Sequence, residues 1–314
     1  MSSSFRRWKN LIDGIINVYK ESGYTSHDVV AKLRGILKQK KIGHTGTLDP
    51  EAQGVLPVCL GKATKVCELL ADETKEYQAV LLLGVVTDTQ DMTGTVLREQ
   101  EPVCTEEEIR SCIMHFTGEQ EQVPPMYSAL KVNGKKLYEL ARQGIEVERK
   151  ARRIMIERIA IEKIDLPEIT FSVVCSKGTY IRTLCHDIGE RLGCGGCMKT
   201  LVRKRVGPFL VKDSVALSEI EQYRDRGELG EIIRGTDTVF SHVPRADLSP
   251  AAERLVRNGN PLPADLLDSG RDMRSENTES RDGWLRLYGT SGEFLAVYGW
   301  DRQRRRYKAV KMFL

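Results

Sequence analysis

One aspartate stands in a stretch that regular structure does not tolerate. In "GHTGTLDPEAQGVLP", residues 43–57, glycines, threonines and a histidine crowd up to Asp49-Pro50, and the apolar run "VLPVCL" follows at once. Glycine and proline at this density interrupt helix and strand alike. Pro50 also biases Asp49 away from the α region. A carboxylate fixed in a loop just ahead of core sequence is a candidate for chemistry, and the plain alternative is an aspartate that caps a turn.

Other suggestive spellings fail. "LPVCLGKAT" ends like a phosphate-binding loop, but Leu56 stands where the first glycine belongs and Ala63 where Ser or Thr is needed. "DTQDMTG" lacks the alternating acids of a calcium loop and reads as a hairpin turn. Cys194 and Cys197 form a single CxxC with Cys185 and His186 upstream, and Cys185 falls inside a helical pattern, so no metal site is expected.

The elements that must position Asp49 are legible. "GIINVYK", Gly14 to Lys20, reads as a strand, and Ser26 to Lys38 as a helix that Thr25 and Asp28 cap. "EYQAVLLLGVVTDT" and "GTVLRE" read as two strands joined through "QDMT". "TEEEIRSCIMHF" is a helix with a Thr105–Glu108 capping box, "QVPPMYSALKVNG" an irregular loop, and "KKLYELARQG" a short helix ended by Gly144. Two strands follow, "RIMIERIAIEKI" and "ITFSVVCS". Then Ile181, Leu184, Ile188 and Leu192 keep helical spacing as far as Gly193. Hairpins mixed with helices argue for an α+β fold with a mixed, mostly antiparallel sheet flanked by helices. A boundary falls near "HVPRADLSP", giving units 1–245 and 246–314. The second is β-rich and carries a polar insert, 268–282, whose composition favours mobility.

The 314 residues suffice for one large domain and a small one; 40% are hydrophobic and 29% charged. No apolar run approaches a membrane span and the N-terminus lacks a secretion signal, so a cytoplasmic protein is expected. Eight scattered cysteines suit a reducing compartment. The net charge is only +4, but the basic residues cluster: Lys38, Lys40 and Lys41; "RKARR" from Arg149; Arg203, Lys204 and Arg205; and six basic residues against one acidic from Asp301 onward. Four clusters in one chain favour a polyanionic partner over merely solvated faces.

The block "GHTGTLDPEAQGVLPVCLGKATK" closely resembles the catalytic motif of the TruB-type tRNA pseudouridine synthases, enzymes that isomerise uridine 55 in the T-loop of tRNA. The likeness continues through "GIINVYK…GYTSHDVV", "KEYQAVLLLGVVTDTQDMTG", "VPPMYSALKVNGKKLYELARQG", "SKGTYIRTLCHDIGERLG" and "LVRKRVGPF", covering about residues 14 to 215. The "GVLPV" and "PPMYSA" spellings are similar to the bacterial branch, rather than the branch that works with guide RNAs. The C-terminal unit resembles the family's small PUA-like RNA-binding domain. Glu21 departs from the family's usual proline after the lysine.

The resemblance implies a pseudouridine synthase fold and a cofactor-free, metal-free isomerase acting as a monomer on the T-arm of tRNA, with no obligate protein partner. It implies Asp49 as nucleophile and Arg182 as the cation that favours its ionised form against burial. Tyr77 and Tyr180 become the aromatic partners of a flipped uracil, and Tyr77 is also credited with proton transfer. A free tyrosine has a pKa of about 10, so stacking is the stronger expectation. His44 takes the space left by the flipped nucleotide, Leu201 offers a backbone contact to the base, and Lys20 lies near the pocket floor. Two rivals remain in view. A non-catalytic RNA-binding protein on this fold needs no Asp49 and Arg182 together. An aspartate-nucleophile hydrolase or phosphotransferase needs a second carboxylate or a metal beside Asp49.

Overall fold

The computed structural model describes residues 11–132, 134–267 and 283–314. The polar insert 268–282 and the first ten residues, including the stretch read for a secretion signal, lie outside the described residues. In chain order the first half holds β1 (Gly14–Lys20), α1 (Ser26–Leu37), β2 (Ile42–His44), β3 (Gln53–Leu60), α2 (Cys67–Asp72), β4 (Lys75–Leu83), β5 (Val85–Thr87), β6 (Val96–Glu99), α3 (Glu106–Met114) and β7 (Gly118–Gln122). There follow β8 (Lys131–Val132), β9 (Lys135–Lys136), α4 (Leu137–Ala141), β10 (Arg152–Asp165), β11 (Glu168–Cys175), α5 (Ile181–Arg191), β12 (Gly196–Val206), β13 (Phe209–Leu210), α6 (Leu217–Arg226) and β14 (Ile233–Arg234). The last part is β15 (Arg245–Asp247), α7 (Pro250–Arg257), β16 (Leu262–Pro263), β17 (Trp284–Tyr288), β18 (Phe294–Asp301) and β19 (Arg306–Met312).

The large sheet runs β14-β1-β3-β12-β4-β11-β10-β7, with β2 on β3 and β13 on β12. All its pairings are antiparallel except β3 with β12. That parallel pair stands at the centre and is short, Val202 opposite Gln53 and Arg203 opposite Gly54. Gly54 has φ +105°, and a Cβ there would lie 2.3 Å from the Arg203 carbonyl oxygen, so only glycine lets the two backbones meet. One core lies between β4, β10 and β11 and helices α3 and α5, around Phe171, Ile113 and Leu184. A second packs Val29, Leu33 and Ile36 of α1 against Val18, Leu56 and Val58, with Ile220 of α6 closing it.

Both capping boxes form, Thr25 with Asp28 and Thr105 with Glu108. Two readings need correction. The single strand expected through "EYQAVLLLGVVTDT" breaks at Gly84, φ +86°, where a Cβ would meet the Gln100 carbonyl oxygen at 2.2 Å. β5 and β6 therefore leave the main sheet as a separate hairpin. The loop expected over 122–134 ends in a small ladder, Lys131 opposite Lys136. Pairs this short have almost no periodicity to read.

The second sheet runs β15-β17-β18-β19-β16. It is not separate in its packing. Val297 and Phe313 join Ile15, Val55, Cys59, Ala63 and Leu70 in one buried cluster, with Trp284 and Phe294 at its edge. No described helix is long and apolar enough to cross a membrane.

Candidate active site

Asp49 sits in the loop from Thr45 to Ala52, between β2 and β3, and this loop is irregular without being loose. Most of its carbonyls have a donor. Arg203 Nη2 reaches Gly46 O at 3.3 Å and its Nη1 reaches Thr47 O at 3.5 Å, while its Nε donates to Val55 O at 2.7 Å. The Ser26 hydroxyl, on α1, accepts from Leu48 N at 2.9 Å. The Asp49 carbonyl accepts from Ala52 N at 3.1 Å, closing the turn through Pro50. Lys20 Nζ donates to Pro50 O at 2.8 Å and Ala52 O at 2.6 Å, and to Glu21 O at 3.0 Å. Leu48 anchors the loop in the core. The loop's backbone is thus pinned on both sides of Asp49.

Arg182 enters from the first turn of α5 and meets the carboxylate side-on. Its Nε lies 2.9 Å from Asp49 Oδ2 and its Nη2 3.3 Å from Oδ1. The remaining donors are fixed as well: Nη1 to Thr89 O at 3.1 Å and Nη2 to Tyr127 O at 2.9 Å. Asp91 Oδ2 stands 3.5 Å from Nη1. Asp91 Oδ1 accepts from Thr89 Oγ1 and Thr93 N, 2.8 and 2.9 Å. The guanidinium therefore lies between two carboxylates. The Arg182 side chain is 5% exposed and the Asp49 side chain 37%, so the open face of the pair is the aspartate.

Asp49 is surrounded by protein on most sides although its side chain stays 37% exposed. Burial raises its pKa above the ordinary carboxylate value; Arg182 pulls down, Asp91 pushes up and Lys20 pulls down. Arg182 thus favours the ionised form of Asp49, as expected, and works against burial and Asp91 in doing so. Burial also lowers Lys20 to about 8, against the pull of Asp49 and Glu51.

Tyr77, on β4, is buried, and the register sets it opposite Val173 on one side and Arg203 on the other. Burial raises its pKa, with Arg203 the main countering charge. Proton abstraction by this phenol at neutral pH is correspondingly less favourable than stacking. Tyr180, half-buried, precedes α5 and is locked by Gln122, whose Oε1 accepts from Tyr180 N at 2.8 Å and whose Nε2 donates to Tyr180 O at 3.0 Å. Burial raises the Tyr180 pKa too. His44 ends β2. Its Nδ1 accepts from Gly46 N at 3.3 Å, and its ring meets His27 edge-on at 5.8 Å. Burial, then His27, lowers its pKa and keeps it neutral. Leu201, on β12 opposite Ala79, shares a cluster with Leu48 and Tyr77.

Asp49, Arg182, Lys20, Tyr77 and Leu201 thus come together around one loop, with His44 at its start and Tyr180 two residues before Arg182. Sequence reading missed Asp91, Gln122 and Arg203. Asp91 lay inside "DTQDMTG", read only as a turn. Arg203 was counted with Lys204 and Arg205 as a surface cluster. It is 1% exposed instead, and Arg205 turns to Glu76 at 3.3 Å. The inward alternation of Leu201 and Arg203 along β12 was the available signal. Among the described residues no three His, Cys, Asp or Glu side chains converge on a metal-sized site.

Two family models match the chain: the TruB family pseudouridylate synthase N-terminal domain over residues 34–181, and the tRNA pseudouridylate synthase B C-terminal domain over residues 182–241. The chain is 48% identical over 311 residues to tRNA pseudouridine synthase B of Lachnoclostridium phytofermentans, covering 96% of this chain and 100% of that protein. The protein of the same name from Bacillus pumilus is 40% identical over 296 residues, 92% of this chain and 93% of its own. Among solved structures, an H/ACA RNP bound to a substrate RNA containing 2'-deoxyuridine matches with a TM-score of 0.70 at 26% identity, over 96% of this chain and 85% of that chain. The archaeal box H/ACA sRNP Nop10-Cbf5 complex matches with a TM-score of 0.68 at 28% identity, over 96% and 86%. On these matches the chain belongs to the TruB family of pseudouridylate synthases, and it is an isomerase built on the fold it shares with them.

Proposed function

We propose that this pseudouridine synthase isomerises uridine 55 in the T-loop of tRNA, with Asp49 as the nucleophile. The observation that carries the reading is the Arg182–Asp49 pair, bidentate and buried on the arginine side, with the carboxylate facing open space. The relatives' name, tRNA pseudouridine synthase B, supports tRNA as the substrate.

The chemistry conserves every atom of the base. The bond from N1 to the sugar breaks, the base turns, and C5 joins the sugar; N1 gains a proton as C5 loses one. Such a step needs a group that attacks or stabilises the nucleoside while the base is free, and an ionised carboxylate serves. The target is stacked in its loop, so it is flipped out first. Tyr77 and Tyr180 are the flat partners that replace lost stacking, Leu201 offers its backbone to the base, and neutral His44 fills the vacated space. Lys20 holds Pro50 and Ala52 in place beneath the aspartate.

The reading includes a monomer in the cytoplasm that needs no cofactor, guide RNA or protein partner. It assigns residues 1–245 to catalysis and 246–314 to RNA binding. Purified protein is incubated with unmodified tRNA transcript, without additives, and pseudouridine is mapped by chemical derivatisation. Modification at position 55 is expected. Modification only elsewhere overturns the site, and none at all overturns the substrate.

A further inference from the structure

Arg203 is a buried cation that the reaction as described leaves without a task. It is 1% exposed, among the largest side chains fully enclosed in the protein. Among the described residues no carboxylate pairs with it. It donates to three carbonyls, Gly46, Thr47 and Val55, which bracket the Asp49 loop at both ends, and its side chain also meets the Tyr77 hydroxyl. A buried charge held only by neutral dipoles costs stability that an apolar side chain of similar volume would not. Something other than stability is the natural reason to keep it there.

The backbone of the same residue has a second relationship. In the β12–β4 ladder Arg203 stands opposite Tyr77, so their side chains are neighbours on one face of the sheet. On its other side β12 runs parallel to β3, with Arg203 against Gly54. One residue therefore touches the loop that carries the carboxylate and neighbours the aromatic that would stack on the base. The guanidinium is planar and its donors sit in a fixed fork, so it fixes distances that a flexible ammonium would not.

We infer that Arg203 is a positioning residue for this reaction: it sets the Asp49 loop at a fixed distance from Tyr77. The inference rests on the proposed roles of Asp49 and Tyr77. A displacement of about 1 Å at a reacting group costs on the order of 100-fold in rate.

The test compares Arg203→Met, Arg203→Lys and wild type, with Lys199→Met as a control for losing a cation on the same strand. Single-turnover rates are taken at saturating enzyme, tRNA affinity and thermal melting in parallel, all well below the melting point. Arg203→Met is expected to slow the maximal rate by about 100-fold with affinity within about threefold. Arg203→Lys should recover part of the rate, and Lys199→Met should match wild type. A merely structural residue would lower the melting point and leave the maximal rate of the folded fraction intact. That result overturns the inference, as does a loss carried wholly by affinity. Should Arg203→Met not fold, Arg203→Lys decides: a slowed maximal rate at unchanged affinity supports positioning, and a wild-type rate overturns it. Asp49→Asn is run beside them. If it turns over, the aspartate reading fails first; if it is dead while Arg203→Met is fast, only this inference fails.

Discussion

Arg182 grips Asp49 through two nitrogens, Nε at 2.9 Å and Nη2 at 3.3 Å, while its other contacts go to Thr89 O, Tyr127 O and Asp91. A guanidinium with every donor assigned cannot swing away when substrate arrives. The carboxylate therefore has one orientation, its free side toward solvent. This is preorganisation, and Thr89, Asp91 and Tyr127 supply it from segments that read as turn and loop.

Asp49→Asn should abolish turnover and leave tRNA binding within a few-fold. The amide keeps the shape and loses the nucleophile, whereas affinity is spread over many phosphate and base contacts. Pseudouridine above the level of a mock-purified control would remove Asp49 from the mechanism. The same variant carries a stability signature. Burial raises the folded pKa of Asp49, so its contribution is present below the unfolded pKa and is lost as pH rises through the folded one. The melting point of wild type relative to Asp49→Asn should therefore fall as pH rises through the carboxylate range.

Asp91→Asn should move the acid limb of the rate to lower pH. In the proposed mechanism Asp49 reacts in its ionised form, and Asp91 is a like charge that makes ionisation harder. The asparagine keeps an oxygen for Thr89 and Thr93 while removing the charge. Rates measured from pH 4.5 to 8 under single-turnover conditions read the limb directly. A limb that stays put, or moves up, means that Asp91 acts on Arg182 alone.

Much of this was legible in the chain, for specific reasons. Asp49 stood out because Pro50 and the surrounding glycines deny it regular structure. The boundaries of α1 and α3 followed from capping boxes whose partners are three residues apart. Alternation could have turned Arg203 inward, but the partners of Arg203 and Asp91 were not legible, because Val55 and Arg182 lie far away in sequence. Basic letters adjacent in sequence suggested one patch, yet on a strand neighbours point to opposite faces. The break at Gly84 depends on the approach of Gln100, which no local period encodes.

Tyr77→Phe should bind tRNA about as tightly as wild type, and Tyr77→Leu more weakly, since base–aromatic stacking is worth about 1–3 kcal/mol by substitution. Equal affinities for Phe and Leu would rule out stacking. Full turnover by the Phe variant would show that the buried hydroxyl has no catalytic task, which its raised pKa favours.

The basic C-terminal residues make a sharper prediction than their number suggested. Lys308 lies 3.6 Å from Asp301, Lys311 Nζ donates to Lys65 O at 2.6 Å, and Arg306 is half-buried. Arg302, Arg304 and Arg305 remain, exposed together in the turn between β18 and β19. Deleting everything after residue 245 would also uncover Val55, Cys59 and Leu70, which pack against Val297 and Phe313, so truncation damages the large sheet's own core. The cleaner experiment replaces the three exposed arginines by glutamine. If all three sit on phosphates, the slope of log affinity against log salt should flatten by about 2–3, at roughly 0.7 to 0.9 per contact. Turnover at saturating tRNA should change little, because the three lie between strands of the second sheet, whereas Asp49 lies between two strands of the large one. Salt titrations of binding for the triple variant and wild type decide it. An unchanged slope would mean that this turn faces solvent in the complex, and that the RNA is held by the large sheet alone.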